Sequence, residues 1–68
     1  KLSFYDYLNT LRIKEFKELV KNPDNNKYSI LALAYESGFN SKASFNRNFK
    51  KHEGITPSEF VKRIDKMK

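Results

Sequence analysis

The chain of 68 residues contains no cysteine and only one histidine, His52. Disulfide bonds, and zinc sites built from cysteine and histidine, are therefore excluded. A hydrophobic core of this size supplies only about 3–5 kcal/mol of stability, and small domains usually add such crosslinks to it. Stability must come instead from packing of the ten aromatic and the aliphatic side chains, or from further chain. A sequence that starts at Lys1 is expected to be a piece of a longer protein.

Other absences narrow the range of functions. The chain has only two glycines, so it lacks a glycine-rich loop that could surround a phosphate. It also lacks a nucleophile paired with a base and a cluster of metal ligands. We therefore expect no enzyme activity, no cofactor and no metal. No apolar run approaches the roughly 18 residues needed to span a membrane, so we expect no membrane contact from this segment. The lack of cysteine fits a reducing cytoplasm, which is the expected location.

Positive charge is concentrated in the second half of the chain, whose formal net charge is +6 as a whole. Residues 1–38 carry six basic and five acidic side chains, whereas residues 39–68 carry eight and three. Between Phe39 and His52 there are no acids and four bases, which are Lys42, Arg47, Lys50 and Lys51. A block of one sign predicts a polyanionic partner, although a merely solvated face has the same composition.

Two helices are predicted in the first half. The first covers residues 3–21, because Ser3 and Asp6 have the spacing of a capping pair and apolar side chains follow at helical intervals. A proline and four polar residues end this helix. A shorter second helix is expected over residues 30–37, with Ser29 as its N-terminal cap.

Two further helices are predicted in the second half. The third covers residues 42–51, with Asn40 or Ser41 as its cap and Gly54 as a stop. The fourth covers residues 57–67 and follows the capping sequence Thr-Pro-Ser-Glu. No stretch alternates between apolar and polar residues with a period of two, so we expect no strand. The predicted fold is all-α, a single four-helix domain of helix-turn-helix type over residues 1–68.

The aromatic residues are assigned to packing. Phe45 and Phe49 are four residues apart on the third helix and should face the core together. We expect Tyr5, Tyr7 and Tyr28 to be packing residues whose hydroxyl groups reach water.

Residues 29–51 have the pattern of a helix-turn-helix unit. Ala34 is small where two helices would touch, Gly38 lies in the turn, and Phe39 would anchor the turn in the core. The second helix of such a unit presents its N-terminal half to the major groove of DNA. The side chains expected to lie near base edges are Ser41, Lys42, Ala43, Asn46 and Arg47. Arginine and lysine can bind guanine, asparagine can bind adenine, and alanine can contact the thymine methyl group.

Four more residues are candidates for contacts with DNA phosphates. Lys50 and Lys51 lie further along the third helix, where a phosphate contact or simple solvation are both open readings. Ser29 and Thr56 lie at helix N-termini, where backbone amides attract anions. With about four phosphate contacts, the logarithm of the binding constant should fall with that of salt concentration with a slope of roughly −3 to −4.

Two sets of residues carry a resemblance to a known family. The first half-pattern is I-x-x-L-A-x-x-x-G-F, formed by Ile30, Leu33, Ala34, Gly38 and Phe39. The second is F-x-R-x-F-K-K-x-x-G-x-T-P-x-x-F, formed by Phe45, Arg47, Phe49, Lys50, Lys51, Gly54, Thr56, Pro57 and Phe60. Together they resemble the DNA-binding domain of the AraC/XylS family of bacterial transcription regulators.

The resemblance implies a specific place for this chain in a larger domain. Domains of that family have two helix-turn-helix units joined by a long helix, and both units read successive major grooves. Residues 3–21 resemble the linking helix, residues 29–51 the second unit, and residues 57–67 the final helix. The first unit would be absent, and this missing N-terminal part of the same protein is an expected partner.

The chain departs from the family pattern at several positions. Phe16 replaces a small alanine on the linking helix, which suggests a local repacking. Asn48 stands where an apolar residue is common. Val61 and Lys62 follow the last aromatic where arginine is common, which puts a phosphate contact there in doubt.

A different class of function stays open beside DNA binding. The chain could be a helical protein-interaction module whose basic face binds an acidic partner. Without a preceding unit, an apolar side of the first helix would be uncovered at Phe4, Tyr7 and Leu11. This exposure would favour a homodimer of the isolated chain.

Overall fold

The fold was determined as a computed structural model, in which residues 3–66 are described. Within this range the chain is all-α, as predicted, with four helices and no strand. The helices are α1 at Phe4–Lys21, α2 at Ile30–Glu36, α3 at Lys42–Glu53 and α4 at Pro57–Lys66, and a short 3₁₀ helix at Pro23–Asn25 precedes α2. The predicted helix bounds that fall within residues 3–66 agree with the structure to within two residues, and α3 is two residues longer than expected. Met67, the predicted end of α4, lies outside the described residues.

Hydrogen bonds from backbone amides to polar side chains define where the helices begin. Ser3 Oγ accepts from the Asp6 amide at 3.1 Å, and the Asp6 carboxylate accepts from the Ser3 amide at 3.4 Å. Ser29 caps α2 by accepting from the Ala32 amide at 3.0 Å. Ser41, rather than Asn40, caps α3. Each of these caps contributes on the order of 1 kcal/mol.

A reciprocal pair caps α4 as predicted. Thr56 Oγ1 accepts from the Glu59 amide at 3.2 Å, and Glu59 Oε1 accepts from the Thr56 amide at 3.2 Å. These hydrogen bonds from the Thr56 amide and hydroxyl favour the carboxylate and lower the pKa of Glu59 below its ordinary value.

Both glycines occupy backbone conformations that other residues rarely adopt. Gly38 follows α2 with φ at 111°, and Gly54 ends α3 with φ at 80°. At Gly38 space is also limited, since a Cβ atom there would lie 3.3 Å from Cγ and Nε of Arg12. Arg12 of α1 thus packs directly against the turn between α2 and α3.

The core is a cluster of aromatic rings centred on Phe16 of α1. Its ring centroid lies 4.9 Å from that of Phe45 and 5.4 Å from that of Phe49. Phe39 extends the cluster to the turn at 5.2 Å from Phe45, and Phe60 extends it to α4 at 5.5 Å from Phe49. All four of these pairs meet edge to face, a geometry that rings prefer. The buried apolar residues are Ile13, Phe16, Val20, Leu33, Ala34, Phe39, Phe45 and Phe49.

The expectation that three tyrosines pack into the fold is wrong. Tyr5, Tyr7 and Tyr28 are 72%, 56% and 51% exposed. Two of them lie in the first turn of α1, which carries the exposed Phe4 as well. Tyr28 lies in the loop before α2, where the Lys27 ammonium stands 5.3 Å from the centre of its ring.

The predicted uncovered apolar side of α1 is present. Phe4, Tyr7 and Leu11 are 71%, 56% and 44% exposed, and their spacing of three and four residues puts them on one side of the helix. We call these three residues the α1 apolar face. Among the described helices, none is long and apolar enough to cross a membrane.

The central position of Phe16 leads to a stability prediction. We expect Phe16→Ala to lower the free energy of unfolding by about 3–5 kcal/mol, because it leaves a cavity between α1 and α3. This is about all the stability of so small a domain, so the variant should be largely unfolded in urea titrations followed by circular dichroism. Lys14→Ala, at an exposed position of the same helix, is the control and should stay within about 0.5 kcal/mol of the parent. Equal stability of the two variants would contradict this core.

Candidate nucleic-acid interface

The five residues predicted to lie near base edges are on one exposed surface at the start of α3. All five side chains are exposed to solvent: Ser41, Lys42, Ala43, Asn46 and Arg47. Arg47 follows Phe45 by two residues and precedes Phe49 by two, which turns it to the opposite side of the helix. Since both phenylalanines are buried, burial of the aromatic rings holds Arg47 toward solvent.

The exposed residues form two parallel rows along α3. Lys42, Asn46 and Lys50 are spaced by four residues, and Ala43 and Arg47 begin a second row that continues to Lys51. Four residues rise about 6 Å along a helix axis, and the twelve residues of α3 span about 18 Å. The major groove is about 12 Å wide and accepts one helix. The exposed side of α3 is therefore small enough to fit into the major groove.

The charge of this surface is of one sign. Lys42, Arg47, Lys50 and Lys51 are all exposed, and within residues 3–66 none of them forms an ion pair shorter than 4 Å. The acid of α3, Glu53, faces away toward α1. The four cations are consequently available to a polyanion.

The four phosphate candidates differ in what their side chains already do. Lys50 is exposed on the same face as Arg47, although its charge also acts on Glu59 of α4. Lys51 lies on the flank of α3 beside a groove of about 300 Å³ against α1. Ser29 is exposed and uses its oxygen to cap α2. Thr56 donates its hydroxyl proton to Glu59 Oε1 at 3.0 Å.

Two side chains of α1 hold α3 in place, and the sequence alone did not predict their contacts. Asn9 Nδ2 donates to Oδ1 of Asn48 at 3.3 Å. Lys17 Nζ donates to Oε1 of Glu53 at 3.1 Å, and this hydrogen bond is partly buried. The unusual polar residue Asn48 was a signal that a partner should exist, but nothing local in the sequence identifies Asn9 as that partner.

Glu53 is the centre of a small charged cluster at the end of α3. Its Oε2 lies 2.8 Å from Nδ1 of His52, and its other oxygen accepts from Lys17. Burial raises the pKa of the Glu53 carboxyl, but the hydrogen bonds and positive charges of His52 and Lys17 lower it by more. The net result is a pKa below the ordinary value of 4.5.

The described residues do not offer a metal site of the usual kind. Within residues 3–66, no three histidine, aspartate or glutamate side chains come together in a group that could bind a metal ion. The chemical features of the surface are hydrogen-bond donors and positive charge along the exposed side of α3.

Known proteins with similar sequences are also described as helix-turn-helix or regulatory proteins. Residues 1–63 match a family described as a helix-turn-helix domain. The Msm operon regulatory protein of Streptococcus mutans is 35% identical over 63 residues, which are 93% of this chain and 22% of that protein. The probable transcription factor PqrA of Proteus vulgaris is 40% identical over 50 residues, which are 74% of this chain and 41% of that protein. The chain thus spans less than half the length of either relative. No solved structure matches it.

The Glu53 cluster generates a prediction about pH. Because the pKa of Glu53 is lower in the folded state than in the unfolded chain, its contribution to stability is present above about pH 4.5 and is lost as the pH falls through the folded value. We expect Glu53→Gln to be less stable than the parent at neutral pH and to lose less stability on acidification to about pH 3. Urea unfolding at several pH values measures this difference.

The control for this experiment is Glu15→Gln, which removes an exposed carboxylate of α1. Its stability should follow that of the parent across the whole pH range. An unfolding free energy of Glu53→Gln that runs parallel to that of the parent at every pH would show that the Glu53 carboxylate makes no pH-dependent contribution to stability.

Proposed function

The chain belongs to the helix-turn-helix domain family of the AraC type, and from this membership we propose that it binds double-stranded DNA sequence-specifically, as part of a bacterial transcription regulator. The observation that carries the proposal is the exposed, cationic start of α3. A helix whose inner side is anchored by buried phenylalanines presents asparagine, arginine and lysine outward, and these are the side chains that read base edges. Both relatives named above are described as regulators or transcription factors.

In the proposed complex, α3 lies in the major groove with its N-terminal half toward the bases. Arg47 is suited to bind guanine O6 and N7 with two parallel hydrogen bonds, and Asn46 to bind adenine N6 and N7. Lys42 extends the same row and can reach a neighbouring guanine. Ala43 and Ser41 are short, so the backbone of the first turn can approach the bases, and Ala43 can contact a thymine methyl group.

Contacts with phosphates would fix the register of the helix on the DNA. We assign these to Lys50, Lys51 and Ser29, which are all exposed. The sequence predicts Thr56 as a fourth contact, but its hydroxyl is donated to the Glu59 carboxylate, which would repel a phosphate. We therefore leave Thr56 out of the proposed interface.

A chromosomal target also implies that the protein works in the bacterial cytoplasm.

A second function, contact with another protein surface, is favoured by the α1 apolar face. Three large apolar side chains on one side of a helix are seldom left uncovered. If residues 3–21 are the linking helix, as the family resemblance implies, another unit of the same protein would cover this face. In the isolated chain the face is open to a second copy, and we propose that it forms a homodimer contact.

Substitution at Arg47 tests the proposed DNA contact. We expect Arg47→Ala to lose about 1–3 kcal/mol of binding to a preferred duplex, because a bidentate contact to guanine is removed. Its binding to random duplex DNA should fall much less. Fluorescence anisotropy with both duplexes measures the two affinities.

Two control variants separate base reading from charge. Lys50→Gln should weaken binding to both duplexes equally and reduce the salt slope by about 0.9, as expected for one lost phosphate contact. Lys21→Ala removes one exposed charge in the last turn of α1, away from the start of α3, and should leave both affinities nearly unchanged. If Arg47→Ala binds the preferred duplex as tightly as the parent, the assignment is wrong.

The homodimer contact is tested by analytical ultracentrifugation. We expect the isolated chain to associate as its concentration rises, because dimerisation would remove the α1 apolar face from water. The double variant Phe4→Ser and Leu11→Ser should remain a monomer over the same range. A parent chain that sediments as a monomer at every concentration would contradict the dimer.

A further inference from the structure

A chain of hydrogen bonds links α1 to both parts of the helix-turn-helix unit. Arg12 Nη1 donates to Asn9 Oδ1 at 3.2 Å, and Asn9 Nδ2 donates to Asn48 Oδ1 at 3.3 Å. Asn48 Nδ2 in turn donates to the Ser44 carbonyl at 2.8 Å and lies 3.2 Å from Ser44 Oγ. We call Arg12, Asn9, Asn48 and Ser44 the polar chain. All four bonds involve half-buried side chains.

The two ends of the polar chain contact the elements that define the unit. At one end, the Arg12 side chain packs against Gly38 in the turn, and its guanidinium lies 6.0 Å from the centre of the Phe39 ring. At the other end, Ser44 belongs to the first turn of α3, directly after Lys42 and Ala43. The polar chain therefore spans from the turn to the part of α3 proposed to meet the bases.

Hydrogen bonds are directional, so they can fix the orientation of α3 more closely than packing of the aromatic rings alone. The hydrophobic contribution of the aromatic contacts follows the apolar area that is buried and has no direction of its own. A hydrogen bond weakens steeply when its geometry is disturbed. The polar chain meets α3 at Asn48, and the ion pair of Lys17 meets it at Glu53, about 7.5 Å further along the axis. Two polar contacts at separate heights on one helix restrict both its roll and its tilt.

A small roll of α3 would matter for base recognition. Side chains on the outer surface of a helix lie several ångströms from its axis, so a rotation of a few degrees displaces their ends. Bidentate contacts to a base tolerate little displacement. Contacts with phosphates tolerate more, because long lysine side chains can adjust and the attraction has little directionality.

We propose that Asn9 and Asn48 are positioning residues, which set the orientation of α3 through the polar chain and thereby the sequence specificity of the domain. This inference rests on the proposed function. The two asparagines do not touch DNA; they act through Asn46 and Arg47. A domain without the polar chain would keep its fold and its attraction to DNA in general, and would lose discrimination between sequences.

The test compares specificity with stability in one set of variants. Asn48→Leu leaves the Asn9 amide without its partner and should destabilise the fold. The double variant Asn9→Leu and Asn48→Leu replaces both polar groups by apolar ones, a change that often restores stability. The control is Thr10→Ala. Thr10 lines the same groove between α1 and α3 as Asn9 and Asn48, but its hydroxyl donates within α1, to the Asp6 carbonyl.

Each protein is titrated against its preferred duplex and against a scrambled duplex at several salt concentrations. The ratio of the two affinities is insensitive to the fraction of folded protein, since unfolded chain lowers both affinities equally. We expect the double variant to unfold near the parent's urea midpoint and keep its salt slope, while its affinity ratio falls by about tenfold, the size of one good base contact. Thr10→Ala should keep the full ratio.

The experiment distinguishes failure of the proposed function from failure of the positioning role. A parent that binds both duplexes equally overturns the proposed function, and this inference with it. A parent that prefers one duplex, together with a double variant that retains the full ratio, overturns the positioning role alone. If the double variant does not fold, the milder Asn9→Ala gives the same reading: a full ratio in that variant contradicts the proposal, and a reduced ratio with an unchanged salt slope supports it.

Discussion

The packing of Phe16 against α3 is the contact on which the rest of this structure depends. Its ring touches both Phe45 and Phe49, within 5.4 Å between centroids, and none of its surface is exposed. Because the chain has no cysteine and so no disulfide, a domain of this length depends heavily on such packing. Because Phe16 contacts two successive turns of α3, it both stabilises the domain and determines which side of α3 faces inward.

The proposed function follows from that same constraint. Once Phe45 and Phe49 face α1, the helical repeat turns Asn46, Arg47 and Lys50 outward. The carboxylate of Glu53 is drawn to Lys17 and so does not offset the positive charge of the outer side. A small aromatic core thus produces a surface that is uniformly cationic and rich in groups able to bind base edges. The same residues that stabilise the fold present the candidate DNA contacts.

Much of this architecture could be predicted from local sequence. Caps such as Ser3 with Asp6, and the glycine at position 54, act on residues within four positions along the chain, so a local pattern contains their whole cause. The exposed side of α3 was predictable because Phe45 and Phe49 define its inner side. Gly54 is correctly predicted as the stop of α3, but the helix continues to Glu53, two residues past the predicted end at Lys51.

Other features depend on distant parts of the chain. Periodicity cannot tell whether an aromatic side chain finds a partner helix, and Tyr5 and Tyr7 do not, because no described helix covers that part of α1. The bonds from Asn9 to Asn48 and from Lys17 to Glu53 join residues 39 and 36 positions apart. Their partners become visible only when α1 and α3 are packed together.

The central claim is that α3 reads a DNA sequence, and selection from a pool of random duplex DNA tests it most directly. The 68-residue chain is mixed with the pool, bound duplexes are recovered over several rounds, and the enriched sequences are determined. We predict enrichment of one short motif, of a length that a single helix in one major groove can contact. Recovery of duplexes without a common motif, through binding that disappears at modest salt, would contradict the claim and leave α3 as a merely charged surface.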